Sequence, residues 1–344
     1  MVDSLETADP LEIADLHVHS RESAEVKDMM GGKTPEEILD DIAGPREFTR
    51  RTFQGREVKV KAIAFTEHDT IVDKGRMQSI IAYGRKKDIL VIPAVELDCT
   101  HDYLNQIHIN CLFFFDSLNR ALQNERFAEI LETTKTGRRK SCAHTIAELI
   151  RHDYISPDAK EVPVEDMPGL YKILSDPSLS SIAAFFENIK SMKRWITAEG
   201  YYRERAKPGA DEIAALAHKA GFIFSIEHSR KINDTRNTST DGFITERDRI
   251  ELIKQLSPRA LQVYYPYYED PEFCKAKGID REVTLLWEES ENQRLQNCSG
   301  ELTIPIGGSD FHSVRGTRNA RRIAERFTLM KDLALLIDLY TKMK

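Results

Sequence analysis

Two histidines, His17 and His19, lie two residues apart at the end of an apolar run that begins at Leu11. On a β-strand, positions i and i+2 point to the same side, so both imidazoles would project together from the carboxyl end of the strand. Imidazole is a common ligand of zinc, manganese and iron. Taken alone, however, such a pair is also explained by chance or by a structural histidine.

Other ionisable residues occupy similar positions along the chain. Six of the ten histidines lie within or just after apolar, β-branched runs. Two pairs of ionisable residues have i, i+2 spacing, His17 with His19 and Asp310 with His312. The complete set is His17, His19, His68, Glu96, His108, His228, Asp310 and His312. Convergence of eight such residues on one face predicts a metal cluster. A mixture of imidazole and carboxylate ligands suits zinc, manganese or iron, and the lack of cysteine in the set argues against a purely structural zinc site.

Seven apolar or β-branched runs predict the strands that position these residues. They are residues 11–19, 58–65, 89–95, 107–115, 222–226, 260–265 and 302–306. Segments with helical periodicity separate most of them, and this alternation predicts a parallel sheet covered by helices. Since the ionisable side chains follow the strands, we predict an α/β fold, a seven-stranded TIM-like (β/α)7 barrel. An open doubly wound sheet is the alternative.

Several residues mark helix boundaries. Thr34, Pro35 and Glu37 form the start of a helix, with an N-cap, a proline at the first position and a capping box. A helix from Glu212 should stop at Gly221. Two further helices are predicted over residues 246–256 and 320–343.

The segment 116–207 does not alternate between strands and helices. It has mainly helical character, interrupted by prolines. We therefore expect a barrel domain made of residues 1–115 and 208–344, with residues 116–207 as a helical insertion that forms a lid over the barrel mouth.

Composition limits the classes of partner. The net charge of −7 disfavours binding along the backbone of a long nucleic acid, which requires a basic surface. No apolar run approaches the roughly 20 residues that span a bilayer, and no hydrophobic leader is apparent. The five cysteines lack metal-binding spacing, which fits a reducing compartment. These features favour a cytoplasmic protein with a hydrophobic core, and they leave the oligomeric state open.

The ordered motifs resemble those of the PHP (polymerase and histidinol phosphatase) domain. The resemblance covers most of the chain outside the insertion, and it rests on residues 15–20 (DLHVHS), residues 66–70 (TEHDT), Glu96, His108, His228 and residues 309–312 (SDFH). It implies a seven-stranded barrel, two or three divalent metal ions (manganese, iron or zinc) and phosphoesterase activity. Small stand-alone members act on nucleoside 3′,5′-bisphosphates and short oligonucleotides.

The resemblance also implies a role for each ligand. One metal would be held by His17, His19, Glu96 and Asp310. Glu96 would bridge to a second metal, held by His108 and His228. Asp310 and His228 would act in catalysis, and either Asp310 or an acid behind the metals would protonate the leaving alcohol.

A third metal would be held by His68 and His312, together with a ligand that follows the first motif. Here the chain departs from the family pattern, since the usual aspartate or histidine is replaced by a segment in which Glu25 fits the spacing best and Asp28 fits with a short insertion. Glu67 stands where the family has aspartate. It would either support His68 from behind or face solvent as a loop carboxylate.

Basic residues near the expected barrel mouth are candidate contacts to the substrate. Arg230 and Lys231 follow His228 directly, in a region where the small family members have an arginine. Arg139 and His144 belong to a basic segment of the insertion that resembles the segment through which the family lid reaches the substrate. A solvated helix face explains the arginine-lysine run at residues 138–140 equally well, whereas for His144 contact with the substrate is the favoured interpretation.

These observations favour a metal-dependent phosphatase that acts on a small, nucleotide-like phosphomonoester through a hydroxide shared by two metals. No Gly-rich phosphate loop or Gly-x-Ser-x-Gly elbow suggests another mechanism. The alternatives are an exonuclease for short oligonucleotides, a metal-stabilised module without activity, and an amidohydrolase-type C–N hydrolase. The last usually has a bridging lysine, a position to which Glu96 corresponds here.

Overall fold

The computed structural model describes nine ranges of the chain. They are residues 9–22, 33–44, 52–53, 56–102, 104–151, 205–228, 244–264, 303–312 and 326–342. The strands in these ranges are β1 (Leu11–His19), β2 (Thr52–Phe53), β3 (Arg56–His68), β4 (Leu90–His101), β5 (Leu104–Leu112), β6 (Ile223–Ile226), β7 (Ala260–Tyr264), β8 (Ile304–Gly307), β9 (Phe311–His312) and β10 (Thr328–Leu329). The helices are α1 (Pro35–Ala43), α2 (Lys74–Lys86), α3 (Ser117–Gln123), α4 (Glu125–Arg151), α5 (Ala210–Ala220), α6 (Glu246–Leu256) and α7 (Met330–Lys342).

All described strands belong to one sheet, which follows the order β10-β1-β3-β4-β5-β6-β7-β8. Outside this path, β2 pairs with β3 and β9 pairs with β1. Since β9 follows β8 after a short connection, its pairing with β1 brings the two ends of the sheet together. The sheet is therefore nearly closed, as the barrel prediction requires, whereas the open doubly wound alternative would leave its ends apart.

The seven predicted strands are all present, but one of them runs in an unexpected direction. β5 is antiparallel to both of its neighbours, β4 and β6, so the prediction of a fully parallel sheet is wrong at this strand. The reason is the connection: β4 continues to His101 and β5 starts at Leu104, which leaves room for a hairpin turn and none for a crossover helix. The three short strands β2, β9 and β10 come in addition to the seven.

The interior of the sheet is filled by small and branched apolar residues. One buried cluster combines residues of all seven predicted strands with residues of α7. Three alanines of this cluster, Ala62, Ala64 and Ala94, lie on β3 and β4, where short side chains suit the narrow space that the strands enclose. Leu333 and Leu336 of α7 join the same cluster. Two other clusters lie between strands and covering helices. One includes α1 and α2, and the other includes α3 to α6.

Most helix boundaries follow the predicted signals. At α1 both halves of the capping box are present between Thr34 and Glu37. α5 ends at Gly221, whose φ of 66° is the left-handed conformation that glycine adopts without strain. The prediction of a helix from residue 320 is wrong at its start, because residues 328–329 form β10 and the helix begins only at Met330.

The predicted insertion begins as a helical segment that packs on the barrel. Within residues 116–207, the described part contains α3, α4 and residues 205–207. Phe127 and Ile130 of α4 are buried in the same cluster as Phe113 and Phe222. The first turns of α4 therefore cover the outside of the sheet, as the helices of a barrel do. Residues 152–204 lie outside the described ranges, so a lid over the mouth stays a prediction.

No helix in the described ranges has the length and apolarity required to cross a bilayer.

Removal of the Phe127 ring tests this packing of α4. Phe127 is fully buried, with its ring centroid 6.0 Å from that of Phe113 and 5.3 Å from that of Phe222. We expect Phe127→Ala to lower the free energy of unfolding by about 3–5 kcal/mol, through lost contacts and a residual cavity. The measurement is urea denaturation. Leu335→Ala, at a side chain that is 56% exposed, is the control and should change the free energy by less than about 0.5 kcal/mol. Similar losses in both variants would contradict the packing described here.

Candidate metal centre

The carboxyl end of β1 delivers two buried histidines to the mouth of the barrel. The Nε2 atoms of His17 and His19 are 3.1 Å apart, and both side chains are excluded from solvent. Two neutral imidazole nitrogens at this distance need a proton or a cation between them, because their lone pairs otherwise repel. The pair predicted from the His-x-His spacing is therefore formed, and it is arranged as a pair of ligands.

Glu96 lies at the centre of the site. His68 and Glu96 are partners in the ladder between β3 and β4, and His68 Nδ1 is 2.9 Å from Glu96 Oε2. His108 Nδ1, from β5, is 2.6 Å from Glu96 Oε1. The nitrogens of His17 and His19 are 3.5 and 3.4 Å from Glu96 Oε2. One buried carboxylate thus lies against four imidazoles on three strands.

Asp310 and His228 complete the cluster from the loops after β8 and β6. Asp310 Oδ1 is 3.5 Å from His17 Nε2 and 3.2 Å from His19 Nε2, and Asp310 Oδ2 is 3.4 Å from His228 Nε2. Both residues have a positive φ, 50° for Asp310 and 46° for His228, which is unusual for residues other than glycine. Such strain persists where neighbouring contacts hold the backbone, and it concentrates at functional sites.

The donor set fits divalent metal ions. Three groups of side chains have ligand atoms that all lie within 4.8 Å of one another: His17, Glu96 and His228; His17, His19 and Asp310; and His19, His68 and Glu96. They are mostly buried and combine nitrogen and oxygen donors, as zinc, manganese and iron sites do. Because His17, His19 and Glu96 recur in two groups each, the arrangement suits neighbouring ions that share ligands.

The electrostatics of the cluster show that it favours positive charge. Burial lowers the pKa of His17, but the carboxylates of Glu96 and Asp310 outweigh burial and raise it well above the usual value. Burial raises the pKa of Glu96, but the imidazoles of His108, His68 and His17 hold it well below the usual range. The buried Glu96 carboxylate thus stays charged and favours protonation of the neighbouring imidazoles. A bound cation would replace those protons as the source of positive charge.

The structure brings together seven of the predicted metal ligands, which are His17, His19, His68, Glu96, His108, His228 and Asp310. His312 pairs through its backbone with His19, but its side chain lies outside the described part. Glu25 and Asp28 lie outside the described residues, as do Arg230 and Lys231. Arg139 and His144 belong to α4, and their side chains are not among those described. The third metal and the substrate contacts therefore stay predictions.

Three residues support the ligands in roles that the sequence did not assign to them. Glu227 Oε2 is 3.0 Å from His17 Nδ1, so a proton on Nδ1 directs the other nitrogen of the ring toward Glu96. The side-chain oxygen of Gln262 accepts a hydrogen bond from the backbone N–H of His228 (2.9 Å). Glu227 directly precedes a predicted ligand, and Gln262 is the one polar residue in a buried apolar run, so a signal existed for both.

The third supporting residue is Asp15. Its carboxylate accepts hydrogen bonds from the backbone N–H (2.9 Å) and the hydroxyl (2.6 Å) of Ser309. Ser309 precedes Asp310, and Asp15 lies two residues before His17. Asp15 therefore ties the two ligand-bearing motifs to each other.

Glu67, for which the sequence left two alternatives open, and its neighbour Asp69 are both buried. Glu67 accepts hydrogen bonds from the backbone N–H and the hydroxyl of Ser20, directly after His19, so its interpretation as a solvent-facing carboxylate is wrong. Asp69 contacts Arg138 (2.7 Å) and Arg205 (2.5 Å). Burial raises the pKa of Asp69, but the two guanidinium groups lower it to about 2.

Comparison with solved structures gives matches at low sequence identity. One similar structure is that of a protein of Bifidobacterium adolescentis, which is named as a predicted metal-dependent phosphoesterase. The match has a TM-score of 0.60 and 15% sequence identity, and it covers 96% of this chain and 97% of that chain. A two-domain protein of Bacteroides vulgatus, named as containing a predicted PHP-like metal-dependent phosphoesterase, matches with a TM-score of 0.35 and 14% identity, over 91% of this chain and 55% of that chain. No family model and no curated protein matches the sequence. The first match shows a shared fold.

Removal of the Glu227 charge tests its support of His17. We expect Glu227→Gln to weaken Mn²⁺ binding by about 10–100-fold, the usual effect of losing a partner behind a metal ligand. Isothermal titration calorimetry measures this affinity. Glu212→Gln removes the same charge from a carboxylate that contacts Arg126, and it should bind Mn²⁺ as the wild type does. An unchanged affinity of Glu227→Gln would contradict the role assigned to Glu227.

The close approach of Gly308 to His17 allows a second test of the site. A Cβ on Gly308 would lie 2.3 Å from His17 Cβ and 2.7 Å from His17 N, so Gly308→Ala must displace β1 or the loop that carries Asp310. We expect a loss of about 1–3 kcal/mol in the free energy of unfolding, together with weaker Mn²⁺ binding.

The control for this variant is Gly137→Ala, within α4, where the nearest atom to the new Cβ is 3.4 Å away. Since alanine is the better helix former, this control should be neutral or stabilising. If Gly308→Ala and the wild type were equally stable in urea denaturation, this would contradict the close approach of Gly308 to His17.

Proposed function

We propose that this chain is a metal-dependent phosphatase of the PHP family that hydrolyses a phosphomonoester of a small, nucleotide-like substrate. The observation that carries the proposal is the buried Glu96 carboxylate in contact with four imidazoles, beside Asp310. Together with the order of the motifs along the chain and the shared fold of the Bifidobacterium protein, it supports metal-dependent phosphoester hydrolysis more than other chemistry.

Within the described residues, His17, His19, Glu96 and Asp310 would hold one ion, and Glu96 would share a second with His108 and His228. Divalent ions, when bound, would act as Lewis acids that polarise phosphoryl oxygens and lower the pKa of coordinated water.

The protein contributes orientation. Glu227 fixes the ring of His17, Gln262 fixes the backbone of His228, and Asp15 fixes the loop of Asp310. This preorganisation stabilises charge that develops during phosphoryl transfer, because the donors need not move when the reaction occurs.

Asp310 would deliver the proton to the leaving alcohol. Its carboxylate retains some exposure, with 11% of the side chain accessible, whereas His17, His19 and Glu96 are almost fully excluded from solvent. A group at the boundary between the cluster and the open mouth can reach a leaving oxygen on the solvent side. Since Asp310 would be ionised as a metal ligand, it would act by relaying a proton from solvent water to the leaving oxygen as the ester bond breaks.

The substrate class follows from the motifs and from charge. The motif resemblance is to the stand-alone enzymes that act on nucleoside bisphosphates and short oligonucleotides, and the net charge of −7 disfavours a long nucleic acid. A short-oligonucleotide exonuclease remains the second candidate, because the same cluster would serve a phosphodiester.

The test is phosphate release by Mn²⁺-reconstituted protein. The panel contains a nucleoside 3′,5′-bisphosphate, mononucleotides, histidinol phosphate and a short oligonucleotide. We expect release from one small phosphomonoester, reduced by about 10²–10⁴-fold in Asp310→Ala, in which a ligand and the general acid are lost together. Glu212→Gln, which lies outside the cluster, is the matched control and should retain full activity.

The other outcomes separate the alternatives. Release of nucleotides from the oligonucleotide, with no free phosphate, would replace the phosphatase by the exonuclease. Inactivity of protein that carries bound metal in elemental analysis would contradict both and favour the C–N hydrolase or the module without activity. Lack of bound metal would remove the basis of the proposal.

A further inference from the structure

A group of buried charges lies beside the metal centre and is not part of it. The carboxylate of Asp69, directly after β3, and that of Asp98, near the carboxyl end of β4, are both buried. Three basic side chains contact them: Arg138 reaches Asp69 (2.7 Å), Lys207 reaches Asp98 (3.3 Å), and Arg205 reaches both. Buried charges are costly unless they are paired with good geometry, and these are paired at short distances.

Arg205 differs from the other two basic residues in joining two carboxylates. Its NH1 group donates to Asp69 Oδ2 and its NH2 group to Asp98 Oδ2, each at 2.5 Å. Only 7% of the Arg205 side chain is exposed. A planar guanidinium holds two acceptors at a fixed separation, so this contact sets the distance between the two carboxylates.

The two carboxylates are adjacent to metal ligands. Asp69 directly follows His68, and Asp98 lies two residues after Glu96, on the same face of β4. Two further hydrogen bonds connect the same strand ends: the N–H of Asp69 donates to the backbone oxygen of Glu96 (2.9 Å), and the N–H of Asp98 donates to Asp69 Oδ1 (3.4 Å). Because His68 and Glu96 are partners in the ladder between β3 and β4, the distance between these two strands sets the distance between the two ligands.

The backbone of Asp69 needs this support. Its φ of 50° is left-handed, a conformation that costs a residue other than glycine on the order of 1–3 kcal/mol. Without contacts to its carboxylate, Asp69 would relax toward an ordinary conformation, and the neighbouring His68 would move with it.

We propose that Arg205 is a positioning residue of the metal centre, whose forked guanidinium ties the ends of β3 and β4 and thereby holds His68 and Glu96 at metal-binding distance. The proposal rests on the metal centre of the proposed function, but it is independent of the substrate. Arg205 precedes α5, outside every motif of the family resemblance, and it acts through Asp69 and Asp98 without contact to the ligands.

The test compares Arg205→Lys with Arg126→Lys. Lysine keeps the charge but cannot bridge two carboxylates with fixed geometry. Arg126 is a matched control, because it also contacts two carboxylates, Glu212 and Glu129, on the exposed side of α4. The readouts are Mn²⁺ affinity by isothermal titration calorimetry and thermal unfolding of the metal-free protein.

We expect Arg205→Lys to weaken Mn²⁺ binding by about 10–100-fold, whereas Arg126→Lys leaves it unchanged. Asp98→Asn removes one acceptor of the same tie and should weaken binding comparably. The double variant Arg205→Lys/Asp98→Asn should lose less than the product of the two single effects, because both break one tie.

Unchanged Mn²⁺ affinity in folded Arg205→Lys would overturn the proposal, as would equal losses in Arg205→Lys and Arg126→Lys. If Arg205→Lys does not fold, Asp98→Asn decides alone, and unchanged affinity there overturns the proposal. Wild-type protein that binds none of Mn²⁺, Zn²⁺ and Fe²⁺ would instead refute the metal centre itself, and with it the positioning role. Failure of the tie is thus distinguished from failure of the proposed function.

Discussion

The burial of the Glu96 carboxylate is the constraint on which the rest of the structure depends. A charged carboxylate excluded from solvent is strongly unfavourable unless positive charge and hydrogen bonds surround it. The chain meets this requirement with imidazoles from β1, β3 and β5, and cations bound between them would meet it further. The site is therefore an electrostatic reason for the sheet to curve at β1, β3, β4 and β5, which are consecutive in the sheet and bring four imidazoles to one carboxylate.

The direction of β5 is essential to that arrangement. In a barrel of parallel strands, ligands come from carboxyl ends, but His108 lies in the middle of β5, with Leu112 at the carboxyl end. Because β5 is antiparallel, its first half lies next to the last residues of β4, where His108 contacts Glu96. A parallel β5 of the same sequence would carry His108 away from the mouth. The hairpin between β4 and β5 is thus part of the metal centre.

The sequence predicts the ligands better than the residues that hold them. His17, His19 and Glu96 are recognisable because each follows an apolar run, and the strands themselves are all in place. The direction of β5 was missed since apolar patterning does not encode it, and because β4 and β5 each extend beyond their apolar runs, which shortened the apparent connection to a turn. Arg205 was not identified because its partner Asp98 is 107 residues away in sequence, and no local pattern reports such a contact.

Three residues in or directly beside the metal centre share a left-handed backbone, and each follows a strand: Asp69 after β3, His228 after β6 and Asp310 after β8. Each is held by a different contact to a neighbouring strand or motif. Asp69 donates to the backbone of Glu96, His228 donates to Gln262, and the loop of Asp310 is held by Asp15. Strain of this kind costs stability, so it is retained where geometry matters more. The turn at each strand end thus directs a predicted ligand inward, which is His68 beside Asp69, His228 or Asp310. Of the residues that hold these turns, Gln262 and Asp15 were given no role by the sequence, whereas Glu96 is itself a predicted ligand.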